Sequence, residues 1–119
     1  MNTRDIYERT GEDFESVKTR LVSEDFVGRL VEKFAEDGTF FELAAAVKNQ
    51  DASSAFRAAH TIKGVASNLG FSALAAAASE LTEILRGGSF AGADAAFIKV
   101  KAEYDKVIRA INAAKQKQN

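Results

Sequence analysis

At 119 residues, 46% of them hydrophobic and 28% charged, the chain has the size and composition of one soluble domain that buries its own core without disulfide or metal. Its 16 Lys and Arg against 17 Asp and Glu leave a net charge of −1, so no basic excess points to nucleic acid or to an anionic membrane surface. The absence of Cys excludes disulfides, thiol nucleophiles and cysteine-ligated metal, and a single His leaves too few soft ligands for a zinc site, so no metal ligand set is expected.

Pro is absent, Ala is abundant and apolar residues recur at intervals of three and four, which predicts an all-α chain. Thr3 is placed to cap a short first helix ending near Gly11, and a second helix is expected over residues 12–21. Ser23 caps a third, with Glu24 and Asp25 in the first turn, where the helix dipole favours acids; Phe26, Val27, Leu30, Val31 and Phe34 form its apolar stripe. The pattern breaks at Asp37-Gly38-Thr39, and Thr39-Phe40-Phe41-Glu42 reads as a capping box opening a helix that ends near Asn49, although the two segments could equally be one bent helix. Asp51 caps the next helix, which Gly70 ends from the C′ position, and Ser72 caps another that runs into Gly87-Gly88. Ser89 or Asp94 starts the last, whose seam is Phe97, Val100, Tyr104, Val107 and Ile111, and the tail 115–119 is expected to fray.

Connections of two to five residues make neighbouring helices antiparallel. The expected architecture is an up-down antiparallel four-helix bundle over residues 23–114, with the short helices of residues 1–22 packed across it, in one domain spanning 1–119. No repeat, linker or low-complexity segment divides it. No apolar run approaches the roughly 18 residues of a membrane span, and charges interrupt the first thirty residues throughout, so a cytoplasmic location is expected. A short chain that starts at Met1 is expected to be free-standing and monomeric.

The helix from residue 51 to 69 holds the only histidine. Its simplest buried seam is Ala55, Ala59, Ile62, Ala66 and Leu69, which turns His60 about 100° away, onto a flank shared with Phe56, Arg57, Lys63, Gly64 and Ser67. A mid-helix Gly costs about 1 kcal/mol relative to Ala, so Gly64 should have a reason. Helical side chains lean toward the N-terminus, so any side chain at position 64 would lie over the imidazole of His60. Gly64 leaves that ring uncovered, and the small Ser67 extends the clearance into a shallow surface open to a second molecule.

Each residue also has a plainer reading: Gly64 as a point of close helix approach, His60 and Lys63 as solvated surface groups, Arg57 as half of an exposed ion pair worth little. Their combination on one stripe is what suggests chemistry. A neutral imidazole has a free ring nitrogen able to attack phosphorus while the other nitrogen holds the proton, and the added group carries close to two negative charges. Lys63 and Arg57, three residues to either side, lie within one turn of it. The spacing fits a phosphoacceptor.

His60-Thr61-Ile62-Lys63-Gly64 followed by Gly70 resembles the H-x-x-K-G-x-x-x-x-x-G motif of histidine-containing phosphotransfer (HPt) domains, and Asn68-Leu69-Gly70 extends the likeness. Residues 51–59 look like the usual lead into that motif, 20–34 like the family's opening helix and 74–86 like its next one, so the resemblance covers roughly residues 20–111. It implies a phosphoryl carrier with no catalytic machinery of its own, which exchanges the group with receiver-domain aspartates or takes it from a hybrid histidine kinase. His60 would be the phosphorylated residue, Lys63 a phosphate neighbour and Gly64 the clearance. Phe56, Gly64, Ser67, Phe71, Ala75 and Thr82 would form the docking face for a receiver domain whose own acidic pocket holds Mg²⁺, the chain itself needing no cofactor. Many members place a Gln or Glu 22 residues beyond the histidine to orient the imidazole; here that position is Thr82, followed by Glu83, and either is a candidate.

An enzyme is not expected, because no phosphate-binding Gly-rich loop, Cys nucleophile or metal cluster is present. The rival reading is a helical adaptor that binds a signalling partner through the same face without being phosphorylated.

Overall fold

Alternating seams of apolar residues, separated by caps and glycines, divide the described residues into seven helices. The computed structural model describes residues 1–116, and among them the elements are α1 (Thr3–Thr10), α2 (Phe14–Leu21), α3 (Glu24–Glu36), α4 (Thr39–Lys48), α5 (Ala52–Asn68), α6 (Ser72–Arg86) and α7 (Ala93–Gln116). The fold is the expected all-α bundle with extra N-terminal helices. α4, α5, α6 and α7 pack in sequence around the core, α7 closes back onto α4, and short connections make successive members antiparallel. None of these helices is long and apolar enough to cross a membrane.

Side-chain caps set most helix starts, though not always through the residue expected. Ser23 and Asp51 accept from Phe26 N and Ser54 N, as their positions predict. Asn2, one residue before Thr3, caps α1 by accepting from Asp5 N. α2 begins at Phe14 behind an Asp13 cap, two residues later than expected. Thr39 is not a cap but the first residue of α4: Asp37 Oδ1 accepts from Thr39 N at 2.7 Å, and this bond at the break makes α3 and α4 two helices. Ser72 likewise lies inside α6, whose free N–H at Ala73 donates instead to the Glu12 carboxylate at 3.1 Å. The first bond of α7 runs from Ala96 N to the Gly92 carbonyl, so neither Ser89 nor Asp94 caps it. Lys115 and Gln116 continue α7 rather than fraying, and residues 117–119 lie outside the described residues.

The core is built from small residues on α5 and α6 and from aromatic rings elsewhere. Ala55, Ala59, Ile62, Ala66 and Leu69 are all buried, as the seam predicts, with Ala77 and Ala78 of α6 among the same cluster. Phe14, Tyr7, Phe71, Phe34, Tyr104, Phe40 and Phe97 form a continuous ladder of rings with centroids 4.1–5.9 Å apart, linking α1, α2, α3, α4, α7 and the α5–α6 turn. Phe26 leaves the predicted stripe of α3: it is 40% exposed, with the Arg29 guanidinium over its ring.

The N-terminal helices bind the end of α5. Tyr7 Oη donates to the Leu69 carbonyl at 2.6 Å, and Arg20 donates to the carbonyls of Ser67 and Asn68. These carbonyls lie at the terminus, where a helix runs out of its own N–H donors, so α1 and α2 add to its cap. Burial pushes the Tyr7 phenol well above the ordinary tyrosine range.

Candidate functional site

The site grows out of α5. Asp51 fixes its start, and the Ser54 hydroxyl and N–H bonded to Asp51 hold that carboxyl below the usual carboxylate range. At the other end Gly70 takes φ +76°, Gly70 N donates to Ser67 O and Phe71 N to Ala66 O, the paired bonds of a Schellman turn. Between these ends the buried alanine seam turns the opposite flank outward, and His60 is exposed on it.

Gly64 is the residue the motif places one turn further on, and a Cβ built there meets nothing within 4 Å. No helix approaches it, so close packing does not account for the glycine. An open depression passes over this position, lined by Arg20, His60, Lys63, Gly64, Ser67 and Asn68. On the N-terminal side Phe56 lies beside the imidazole, with ring centroids 6.0 Å apart and planes 25° from parallel.

The predicted neighbours divide into those that reach this depression and those that do not. Lys63 and Ser67 line it. Arg57 does not: its guanidinium donates to Ser53 Oγ at 2.8 Å and Ser54 Oγ at 3.2 Å, and it lines the recess between α4 and α5. Arg20 supplies a second cation there, brought by α2 from far away in sequence. Such a contact leaves no periodic signal and could not have been read from the sequence.

On α6 and at the residue before it the expectations need two corrections. Phe71 is fully buried in the aromatic ladder, between Tyr7 and Phe34, and forms no part of an exposed face. Thr82 is also fully buried, and its hydroxyl donates back to the Ala78 carbonyl at 2.7 Å, the usual bond of a mid-helix threonine. Ala75 is half-buried against the core. Glu83 is exposed, and both its oxygens accept from Arg86, at 3.0 and 3.1 Å. That pairing holds the Glu83 carboxyl below its ordinary range, with a smaller contribution from Lys63. Arg86 was missed by sequence reading, although its i,i+3 spacing from Glu83 was visible. Among the described residues His60 makes no hydrogen bond through either ring nitrogen.

Beyond Gly64, on the side away from Phe56, lies an apolar cavity of about 330 Å³ walled by Leu30, Phe34, Phe40, Ile62, Val65 and Tyr104, and Gly64 lines both it and the His60 depression. No local pattern signals it, because its walls come from four helices.

Chemically, the arrangement offers an accessible imidazole with cationic neighbours in a chain of near-zero net charge. Among the described residues no group of three His, Cys, Asp or Glu is placed to hold a metal ion.

Neither the curated proteins nor the solved structures contain a match to this chain. The Hpt domain family matches residues 25–110, a span that takes in α5 with His60, Lys63, Gly64 and Gly70 and leaves α1 and α2 outside it. Hpt domains are phosphocarrier modules rather than catalysts, and they work in phosphorelays with receiver domains and histidine kinases. With the match covering most of its length, the chain belongs to the Hpt domain family and takes part in histidine phosphotransfer.

Proposed function

We propose that this chain accepts a phosphoryl group on His60 and exchanges it with the aspartate of a response-regulator receiver domain, a hybrid histidine kinase being the alternative donor. The observation that carries this is the space over His60: the ring is exposed, and the position that would cover it is a glycine where an added Cβ would meet nothing within 4 Å. In the forward step a ring nitrogen attacks the phosphorus of the receiver's aspartyl phosphate. The N–P bond forms, the P–O bond to the carboxylate breaks with its electron pair leaving on the aspartate, and the proton on the second ring nitrogen stays in place. Return of the group reverses each bond change.

Lys63 and Arg20, which line the same depression, offset the charge that arrives. Any metal would be the partner's: Mg²⁺ held by the receiver's acidic pocket would supply charge neutralisation for the group, while this chain presents the nucleophile. Docking would use the exposed parts of the α5 flank, Gly64 and Ser67, and the apolar cavity that adjoins it at Gly64. The exposed cations speed encounter with an acidic partner and do so less as salt rises.

The test is phosphate uptake from a phosphorylated receiver domain. His60→Gln should abolish uptake, because it removes the bonding atom. Lys63→Ala should slow uptake or shorten the life of the product by about tenfold, the lower end of what a charge-assisted contact supplies. Labelling that survives His60→Gln would place the chemistry elsewhere. A wild-type chain that binds the receiver yet never takes up phosphate would instead be an adaptor.

A further inference from the structure

The predicted orienters on α6 leave the imidazole without a hydrogen bond: Thr82 is buried and bonded to Ala78, and Glu83 is engaged by Arg86. What bounds the ring is Phe56, one turn earlier on α5, near parallel to it at 6.0 Å. Phe56 is itself held. It is half-buried against the core, and the Arg86 guanidinium sits 5.2 Å from its ring centroid while bonded to both Glu83 oxygens. Gly64, on the imidazole's other side along the helix, leaves open space. The ring is therefore supported on one side and clear on the other.

We infer that Phe56 is a positioning residue, which keeps the His60 imidazole in one rotamer with its open side toward the incoming phosphorus. Arg86 and Glu83 act at one remove, by holding Phe56. The consequence for rate rests on His60 being the phosphorylated residue; the stack itself does not. An aromatic pair of this kind biases a side-chain equilibrium by about 2- to 10-fold, and the rate of any reaction at the imidazole should fall by the same factor when it is lost.

The experiment compares wild type, Phe56→Leu and Phe56→Tyr by three measurements. They are the His60 side-chain rotamer populations from NMR couplings, the rate of phosphorylation by phosphoramidate, and the thermal midpoint. Phosphoramidate is small and needs no docking: the ring nitrogen attacks phosphorus, the donor's P–N bond breaks and ammonia leaves. Leu keeps the apolar bulk and removes the planar face, so Phe56→Leu should spread the rotamers and slow phosphoramidate about 2- to 10-fold, while Phe56→Tyr stays near wild type. Unchanged rotamers and an unchanged phosphoramidate rate in Phe56→Leu would overturn the inference. Slower transfer from a receiver alone would then make Phe56 a docking residue, and a lower midpoint alone would make it a packing residue. If wild type takes phosphate from neither donor, the phosphotransfer reading fails, and the rotamer populations still decide whether Phe56 positions the ring.

Discussion

The two glycines of the motif should respond to alanine in opposite directions. At Gly64 the backbone is ordinary helix and a Cβ meets nothing within 4 Å, so Gly64→Ala gains the full helix-propensity difference, about 1 kcal/mol, or about 4 °C in Tm for a chain of this size. At Gly70 φ is +76°, which costs a residue with a Cβ about 1–2 kcal/mol. That Cβ would also overlap Val17 Cγ2 and lie 3.7 Å from Tyr7 Cε2, and because Val17 is buried it cannot yield; overpacking of this kind adds about 1–3 kcal/mol. Gly70→Ala should therefore destabilise by about 2–5 kcal/mol. Urea denaturation of wild type, Gly70→Ala, Val17→Ala and the double variant isolates the overlap, because Val17→Ala removes the clashing methyl but not the backbone cost. A coupling of about 1–3 kcal/mol is expected. Additivity within about 0.5 kcal/mol would refute the overlap at Gly70, and a Gly64→Ala that loses stability would refute the assignment of Gly64 to clearance. Gly64→Leu, nearly as good a helix former, should keep most of the gain yet lie over the imidazole and block its reaction with phosphoramidate, separating function from packing at one position.

Stability should fall at alkaline pH through Tyr7. Its folded-state value is raised, chiefly by burial, so its contribution is fully present below about pH 10, the unfolded tyrosine value, and is lost as pH rises toward the folded one. Denaturation midpoints measured from pH 8 to 11 should bend downward near pH 10, and Tyr7→Phe should flatten the bend; an unaltered curve would show that Tyr7 is not its source. Glu12→Ala should cost about 1 kcal/mol and speed hydrogen exchange at the start of α6, since Glu12 supplies the cap that α6 lacks. Unchanged exchange at Ala73 would dispose of that cap.

The sequence by itself determined much of what depends on neighbours within about one helical turn, though not every cap. The alanine seam of α5, the outward flank carrying His60, the Asp51 and Ser23 caps and the turn at Gly70 all follow from a 3.6-residue period and from which side chains satisfy the N–H and carbonyl groups a helix end leaves open. That position 64 carries no side chain to lie over the imidazole was legible, because it concerns only the residue one turn away; that no other helix fills the space was decided by packing. Tertiary structure decided the rest. Thr82 is an ordinary flank position on a helical wheel and Phe71 stands just outside the helix, and only the packing of neighbouring helices against α6 and its entry turn draws them into the core. Arg57 and Arg20 trade places at the depression for a similar reason: Arg57 is satisfied locally by two serines, whereas Arg20 arrives because Tyr7, Glu12 and Val17 seat the N-terminal helices on the α5–α6 turn. Periodicity tells which way a side chain faces on its own helix. Which neighbour stands there is set by contacts far apart in sequence, and a burial pattern with many compatible partners does not encode that choice locally.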